Sequence, residues 1–402
     1  MAFKDSYIPY GGYWSTPFCR WQGSFQNLHA IGFAADVTSR ALNERGIGPE
    51  RFDGFVLGIT IPQPNLFYGG PWLAGLIGAE HLTAAMVGQA CATGAKTLAL
   101  GAQGIETGTN TNVLVITTDR CSNGPLLAYP NPMAPGATQD TESWVWDNFG
   151  FDPFAKNAML ETGENVAKEA GITKEEQDAV TLMRYGQYQD ALKDEKAFQR
   201  RYMTLPVEVK DARGKKVLAT VEGDEGIHPT TPDGLEKLKP VLPDGTISYG
   251  SQTHPADGNC GIIVSSREKA RELSRDDNIE VKVHSYGEAK TKTGYMAMAV
   301  VPAAKKALED AGVSISDMAA IKTHNPFAVN DIYLSREMDV DLKEMNNYGC
   351  SLIYGHPQGP TGTRLIIELI EELAIKGGGR GLFAGCAAGD SAAAVVLEVT
   401  VE

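Results

Sequence analysis

The stretch "CATGAKTLALGAQGIETGTNTNVLVITT", Cys91 to Thr118, decides the fold because it recurs in altered form near the other end of the chain. "GPTGTRLIIELIEELAIKGGGRGLFAGC", Gly359 to Cys386, lies over it with Gly94 on Gly362, Lys96 on Arg364 and Leu98 on Ile366. Each copy opens on small residues, continues as a helical run, passes a Gly-containing link and ends in a short apolar run. Those runs, Val113 to Thr118 and Gly381 to Cys386, have the length and composition of strands covered on both faces of a sheet.

A second pair extends the repeat upstream. "ALNERGIGPERFDGFVLG" from Ala41 lies over "ALEDAGVSISDMAAIKTH" from Ala307 at almost the same offset, with Gly46 on Gly312, Phe52 on Met318 and Phe55 on Ile321. The chain therefore reads as two similar α/β units with mostly parallel or mixed sheets, packed against each other. The first unit is expected over residues 1–120, completed by about 249–270, and the second over 271–402. Between them, 121–248 has no repeat partner and a different texture. It holds an aromatic cluster (Trp144, Trp146, Phe149, Phe151, Phe154), a helical stretch in which Gly171 ends one helix and Thr173 with Glu176 caps the next, and a hairpin turning at Arg213-Gly214. An insertion of this size on a duplicated core is suited to a lid or ligand-binding layer.

Composition narrows the function. With 402 residues, 43% of them hydrophobic, the chain can bury a large core. No apolar run approaches the roughly 18 residues of a membrane span, and the first residues carry no export or organelle pattern, so the cytoplasm is the expected compartment. The net charge of −14 argues against nucleic acid as a partner. Lys193, Lys196, Arg200, Arg201, Lys210, Arg213, Lys215 and Lys216 make the insertion locally basic, and they read as a solvated face or as a site for a small polyanion. The six cysteines are far apart and include no CxxC pair, so neither a disulfide framework nor a metal site is expected.

The repeat also localises the candidate chemistry. Cys91 precedes the first repeated helix and His356, in "YGHPQGPTG", precedes the second; His324 ends one strand of the second half and Cys386 the next. Ligands of open α/β sheets bind beyond strand carboxyl ends and at helix N-termini, so these four are expected to converge. Taken alone, Cys91 reads as a small buried hydrophobe; with a second cysteine and two histidines it reads as a nucleophile whose thiolate the helix start favours. His29, His81, His228, His254 and His284 have no comparable setting and read as structural or surface residues.

With those residues in place, the sequence resembles the thiolase family along nearly its whole length. The blocks that carry the likeness are "CATGAKTLALGAQGIETG", "HNPFA", "GHPQGPTGTR" and "GCAAGDSA", together with "ETGENVAKEAGITKEEQDA", "LEKLKPVLPDGTISYG" and "THPADGNCG" in the middle. The resemblance implies a layered α-β-α-β-α sandwich with an inserted loop domain. It implies that Cys91 attacks the keto carbon of a 3-oxoacyl-CoA with His356 as its activating partner, and that Cys386 is the general acid. His324, His356 and a held water would line one oxyanion hole, with Asn325 beside them, and backbone N–H groups of Cys91 and Ala388, next to Gly389, the other. Coenzyme A would be a co-substrate with no tightly bound cofactor, and Thr253 and Phe327 would lie along its arm and the acyl group.

Three departures bear on the substrate. His324-Asn325-Pro326-Phe327 stands where many family members have Asn-Glu-Ala-Phe, Cys386-Ala387-Ala388-Gly389 where they have Cys-Gly-Gly-Gly, and Thr253 where they have serine. Trp144 and Trp146 fall where the family's acyl pocket is partly built, which implies either a bulky, aromatic or branched acyl group or ordinary packing within the loop domain. The resemblance further implies a catabolic homodimer or homotetramer. It also admits a condensing acyltransferase, or a subunit acting with a small OB-fold partner. A Cys-His hydrolase is the alternative outside the family.

Overall fold

The computed structural model describes residues 1–211 and 213–402. In the first half, the strand Gly54–Gly58 runs parallel to Ala84–Val87 and to Asn112–Arg120, and Ala256–Ser265 pairs antiparallel with Asn112–Arg120. In the second half, Met318–His324 runs parallel to Gly379–Ala387, followed antiparallel by Ser391–Val401 and Ile279–Lys290. The strand that follows the insertion thus completes the first sheet.

The sequence suggests two separate sheets, but the hydrogen-bonded ladder is continuous. The short strand Tyr7–Ile8 pairs antiparallel with both Ala256–Ser265 and Ile279–Lys290, joining the halves into one sheet of eleven strands. The physical reason is the edge problem: two inner edges would leave unpaired N–H and C=O groups, and the N-terminal segment fills that seam.

Two central helices, Thr93–Glu106 and Gly359–Ile375, pack on each other and on strands of both halves. Every residue from Gly359 to Leu373 is buried, as a helix enclosed between two sheet surfaces requires. Ala30–Glu44 and Gly69–Leu76 cover the outer face of one half and Val300–Ala311 that of the other, while Ala328–Met338 packs against Val300–Ala311 and the helices of the insertion, which gives alternating helix and sheet layers. The glycines paired by the repeat mark where the central helices touch. A Cβ on Gly94 would lie 2.4 Å from the Thr363 nitrogen, and one on Gly362 would lie 3.3 Å from the Ala95 nitrogen.

The insertion carries the elements its sequence signals. Met159–Ala170 ends at Gly171, with φ +61°, and Thr173 caps Lys174–Ala191 through a reciprocal bond pattern with Glu176. Strands Val207–Lys210 and Val217–Val221 form the hairpin around Arg213-Gly214; the same loop contains Ala212, which lies outside the described residues. The basic cluster is largely internally paired: Arg201 binds Glu371 at 2.6 Å, Lys193 Asp190 at 2.6 Å, Lys210 Glu208 at 3.5 Å and Arg200 Glu195 at 3.5 Å. One further contact anchors the insertion to the core. Asp224 accepts a bidentate pair from Arg364 at 2.6 and 2.8 Å, and Arg364 also reaches Glu368 at 3.0 Å; all three side chains are buried.

Candidate active site

Cys91 sits at the entry to the helix Thr93–Glu106, directly after Ala90, whose φ of +44° is unusual for a residue with a side chain. Such a conformation persists only where surrounding structure imposes it, and here it sets the backbone immediately before the sulfur. The second half answers with the turn Gly355-His356-Pro357-Gln358, closed by Gln358 at φ +63°. Asp119, at the end of the strand Asn112–Arg120, fixes this turn from the other half. It accepts from the Gly359 N–H, at the start of the second central helix, at 2.9 Å, and from the Thr60 and Ile61 N–H groups at 2.8 and 2.9 Å. A buried carboxylate at a helix N-terminus satisfies donors that would otherwise be orphaned.

The donor atoms of Cys91, His324 and His356 all lie within 4.8 Å of one another. The two imidazoles stack with centroids 4.1 Å apart, and each is held by its Nδ1: His324 by the Ser351 hydroxyl at 2.8 Å, His356 by the Thr361 hydroxyl at 2.6 Å. Both Nε2 atoms are buried without a partner among the described residues. Burial holds His324 down to about 3, and burial with the neighbouring His324 holds His356 well below the usual histidine range, so both rings are neutral. A neutral, unpartnered Nε2 can accept a proton.

The Cys91 thiol donates to Gln358 Oε1 at 3.3 Å. Burial pushes it up to about 12, although the N–H groups of Ala388 and of Cys91 itself act in the opposite direction. The expectation that the helix start alone makes Cys91 acidic is therefore corrected: desolvation outweighs it, and the resting pair is thiol plus neutral imidazole. The two backbone N–H groups directed at the sulfur are also placed to bind an oxyanion forming there.

Cys91, His356, Thr253, Phe327, Ala388, Gly389, Trp144 and Trp146 line one cleft of about 1200 Å³. Trp21, Phe149 and Phe151 join its wall, with Trp21 and Trp146 edge to face at 4.9 Å. Phe154, grouped with these aromatics by sequence, is 79% exposed and does not line the cleft. His324 is stacked behind His356, and Cys386 is fully buried beneath the lining, its thiol raised first by burial and then by Cys91. Asn325 faces away: it bonds Asp331 and accepts from Ser351 and the Leu352 N–H, because a buried amide after a strand end must satisfy both its ends.

Other lining residues escape sequence reasoning. Gln358 touches the thiol, and His228 and His254, read as structural or surface residues, line the cleft. The signals available for the histidines were the Pro residues following each of them, in "IHPT" and "THPA". Asp119 gave none, since its role depends on contacts across the two halves.

The comparisons with known proteins agree with this arrangement. The family described as "Thiolase, N-terminal domain" matches residues 13–268, and "Thiolase, C-terminal domain" matches 278–399. An acetyl-CoA acetyltransferase of Syntrophomonas wolfei is 28% identical over 400 residues, covering 95% of this chain and 96% of that protein. Human mitochondrial 3-ketoacyl-CoA thiolase in complex with CoA superimposes with a TM-score of 0.88 at 25% identity, covering 100% of this chain and 99% of that one. The Bacillus anthracis acetyl-CoA acetyltransferase has the same fold, with a TM-score of 0.90 at 24% identity and 99% coverage of both chains. With both family domains matched in order along a duplicated α/β core, the chain belongs to the thiolase family and is an acyltransferase that uses CoA thioesters.

Proposed function

We propose that this protein cleaves a 3-oxoacyl-CoA with coenzyme A through an acyl-cysteine at Cys91, in the direction of breakdown. The observation that carries the reading is the gathering of Cys91, His324 and His356, whose sulfur and ring nitrogens lie within 4.8 Å of one another, at a cleft large enough for a thioester and its acyl group. His356 takes the thiol proton as sulfur attacks the keto carbon. The Cys91 and Ala388 N–H groups bind the resulting oxyanion, while the thioester enolate that leaves is stabilised by the N–H that His356 gains with the thiol proton and by a water held on His324 Nε2. Cys386 protonates that enolate, then takes the proton of the CoA thiol as the CoA sulfur attacks the acyl-cysteine; the Cys91–acyl bond breaks and the leaving Cys91 sulfur regains its proton from His356.

The acyl group in this reading is bulky. Trp146 and Phe151 are about half exposed, at 51% and 50%, and offer apolar faces to the cleft beside Trp21, Trp144 and Phe149; such a wall favours an apolar occupant. Thr253 and Phe327 line the same cleft. The functional unit is a homo-oligomer. The strand Ala84–Val87 is a sheet edge, and Phe67, Tyr68, Leu76 and Met86, exposed by 85%, 65%, 50% and 41%, belong to it or to the segment leading into it. An apolar edge of this kind is suited to a second copy of the chain.

Assaying the purified chain with acetoacetyl-CoA and with an aryl-substituted 3-oxoacyl-CoA tests the reading. Turnover of the aryl substrate by the chain alone, dependent on CoA, is expected. A strong preference for acetoacetyl-CoA sinks the bulky acyl group, hydrolysis without CoA sinks thiolysis, and activity only after adding an OB-fold protein points to a two-component enzyme.

A further inference from the structure

We propose that Asn330 is a positioning residue for Cys386, holding its sulfur and stabilising the thiolate left when that cysteine gives up its proton. The proposal rests on the acid role given to Cys386 above. Asn330 is the third residue of the helix Ala328–Met338 and is 2% exposed. Its Oδ1 accepts from the Phe327 N–H at 3.3 Å, as part of the helix cap, and this fixes which way the amide faces. The NH2 group is thereby aimed at Cys386 Sγ, 3.2 Å away.

The environment makes one such donor matter. Cys386 is the next-to-last residue of the strand Gly379–Ala387 and pairs with Ala392 on the neighbouring strand, fully buried where desolvation opposes ionisation. The ionisable groups around it are few. Cys91 lies across the interface and disfavours a second negative charge; His324, on the parallel strand, is neutral; Asp331, next to Asn330, is paired with Arg184 at 2.8 Å. Asp390, in the turn after Cys386, accepts from the Gly294 N–H at 2.8 Å. Among the described residues, the Asn330 N–H is thus the one side-chain donor on this sulfur. When the S–H bond breaks and the proton forms the new C–H bond of the thioester, the electron pair stays on Sγ, and an N–H fixed at 3.2 Å strengthens as that charge develops. The same contact keeps the thiolate aimed to take the proton of the CoA thiol in the next step.

Asn330→Ala removes the donor. Asn330→Asp keeps an oxygen for the Phe327 cap, so the helix start is preserved, but sets a carboxylate beside the sulfur. The expected result is a fall in thiolysis kcat of about 10- to 100-fold for Asn330→Ala and a larger fall for Asn330→Asp. The limb of the pH–rate profile that reports Cys386 should move to higher pH in both, with the rate of Cys91 alkylation by iodoacetamide unchanged. A pH limb that stays in place in both variants overturns the proposal, whatever happens to kcat. Cys386→Ser, measured in parallel, separates the two ideas. If it turns over like the wild type, the acid role itself fails; if it is inactive while the Asn330 variants keep the wild-type limb, only the role of Asn330 fails.

Discussion

The two central helices descend from one sequence pattern yet do opposite work. Thr93–Glu106 is built mostly from small residues, and its counterpart of Arg364 is Lys96, which reaches out to Glu288 at 3.1 Å in a partly exposed pair. Gly359–Ile375 buries Arg364, Glu368, Glu371 and Glu372 and ties them to Asp224, Tyr202, Lys322 and Arg201. The first helix presents a nucleophile and otherwise packs; the second carries the turn that supplies His356 and Gln358 and clamps the inserted layer onto the core. Duplication gave both halves the same frame, and charge buried in only one of them gave the insertion its anchor.

That contrast can be broken at several points. The largest effect is expected at the nucleophile itself: Cys91→Ala should lower kcat by about 10⁴-fold or more, because no other step substitutes for the acyl-cysteine. Residual turnover within a factor of ten of wild type would remove Cys91 from the chemistry. Next, Arg364→Ala should destabilise the fold by about 3–5 kcal/mol in denaturant titrations, because it leaves Asp224 and Glu368 buried without their partner. A loss below about 1 kcal/mol, the range of an exposed pair, would mean that the clamp is not structural.

Acidification probes the buried histidines. His324 and His254 are held down to about 3 and about 4 by burial, whereas unfolded histidine titrates near 6.5. Their depressed values mean that the unfolded chain binds protons first, so the stability they contribute is present above about pH 6.5 and lost as pH falls toward 4. Asp119 and Asp257, raised to about 7 and about 6 by burial, act in the reverse sense, contributing most at low pH and losing it as pH rises. His324→Asn removes a single histidine term, so its Tm should fall less between pH 6.5 and 4 than that of the wild type. An identical or steeper fall contradicts the neutral, buried ring.

Smaller effects sharpen the comparison. Gly94→Ala should cost about 1–3 kcal/mol by overpacking against the Thr363 backbone, and Gly362→Ala less, since its nearest atom is farther off. Lys96→Met, the counterpart of the Arg364 substitution, should cost under about 1 kcal/mol. If Lys96 and Arg364 proved equally costly, the asymmetry between the helices would be lost.

Much of this was legible in the sequence because it depends on local pattern. The repeat marked both central helices and the glycines where they touch, and the turn residues marked Gly171, Thr173 and the hairpin. Cys91, His324 and His356 were legible because each sits at the end of a repeated element, where α/β sheets gather ligands. What was not legible depends on contacts between distant segments. Asp119 binds the Gly359 N–H across the interface of the halves, Tyr7–Ile8 joins their sheets, and Asn330 reaches Cys386 from a helix whose sequence gives no sign of it. The neutral thiol of Cys91 is not legible for a related reason: a helix start is visible in sequence, but the burial that outweighs it is not.

The most direct test of the account is peptide mapping by mass spectrometry after mixing the protein with a 3-oxoacyl-CoA in the absence of added CoA. The account predicts an acyl group, smaller than the substrate by one thioester unit, on the peptide that contains Cys91. An adduct on Cys386 or another cysteine, or release of free acid with no adduct, would contradict it.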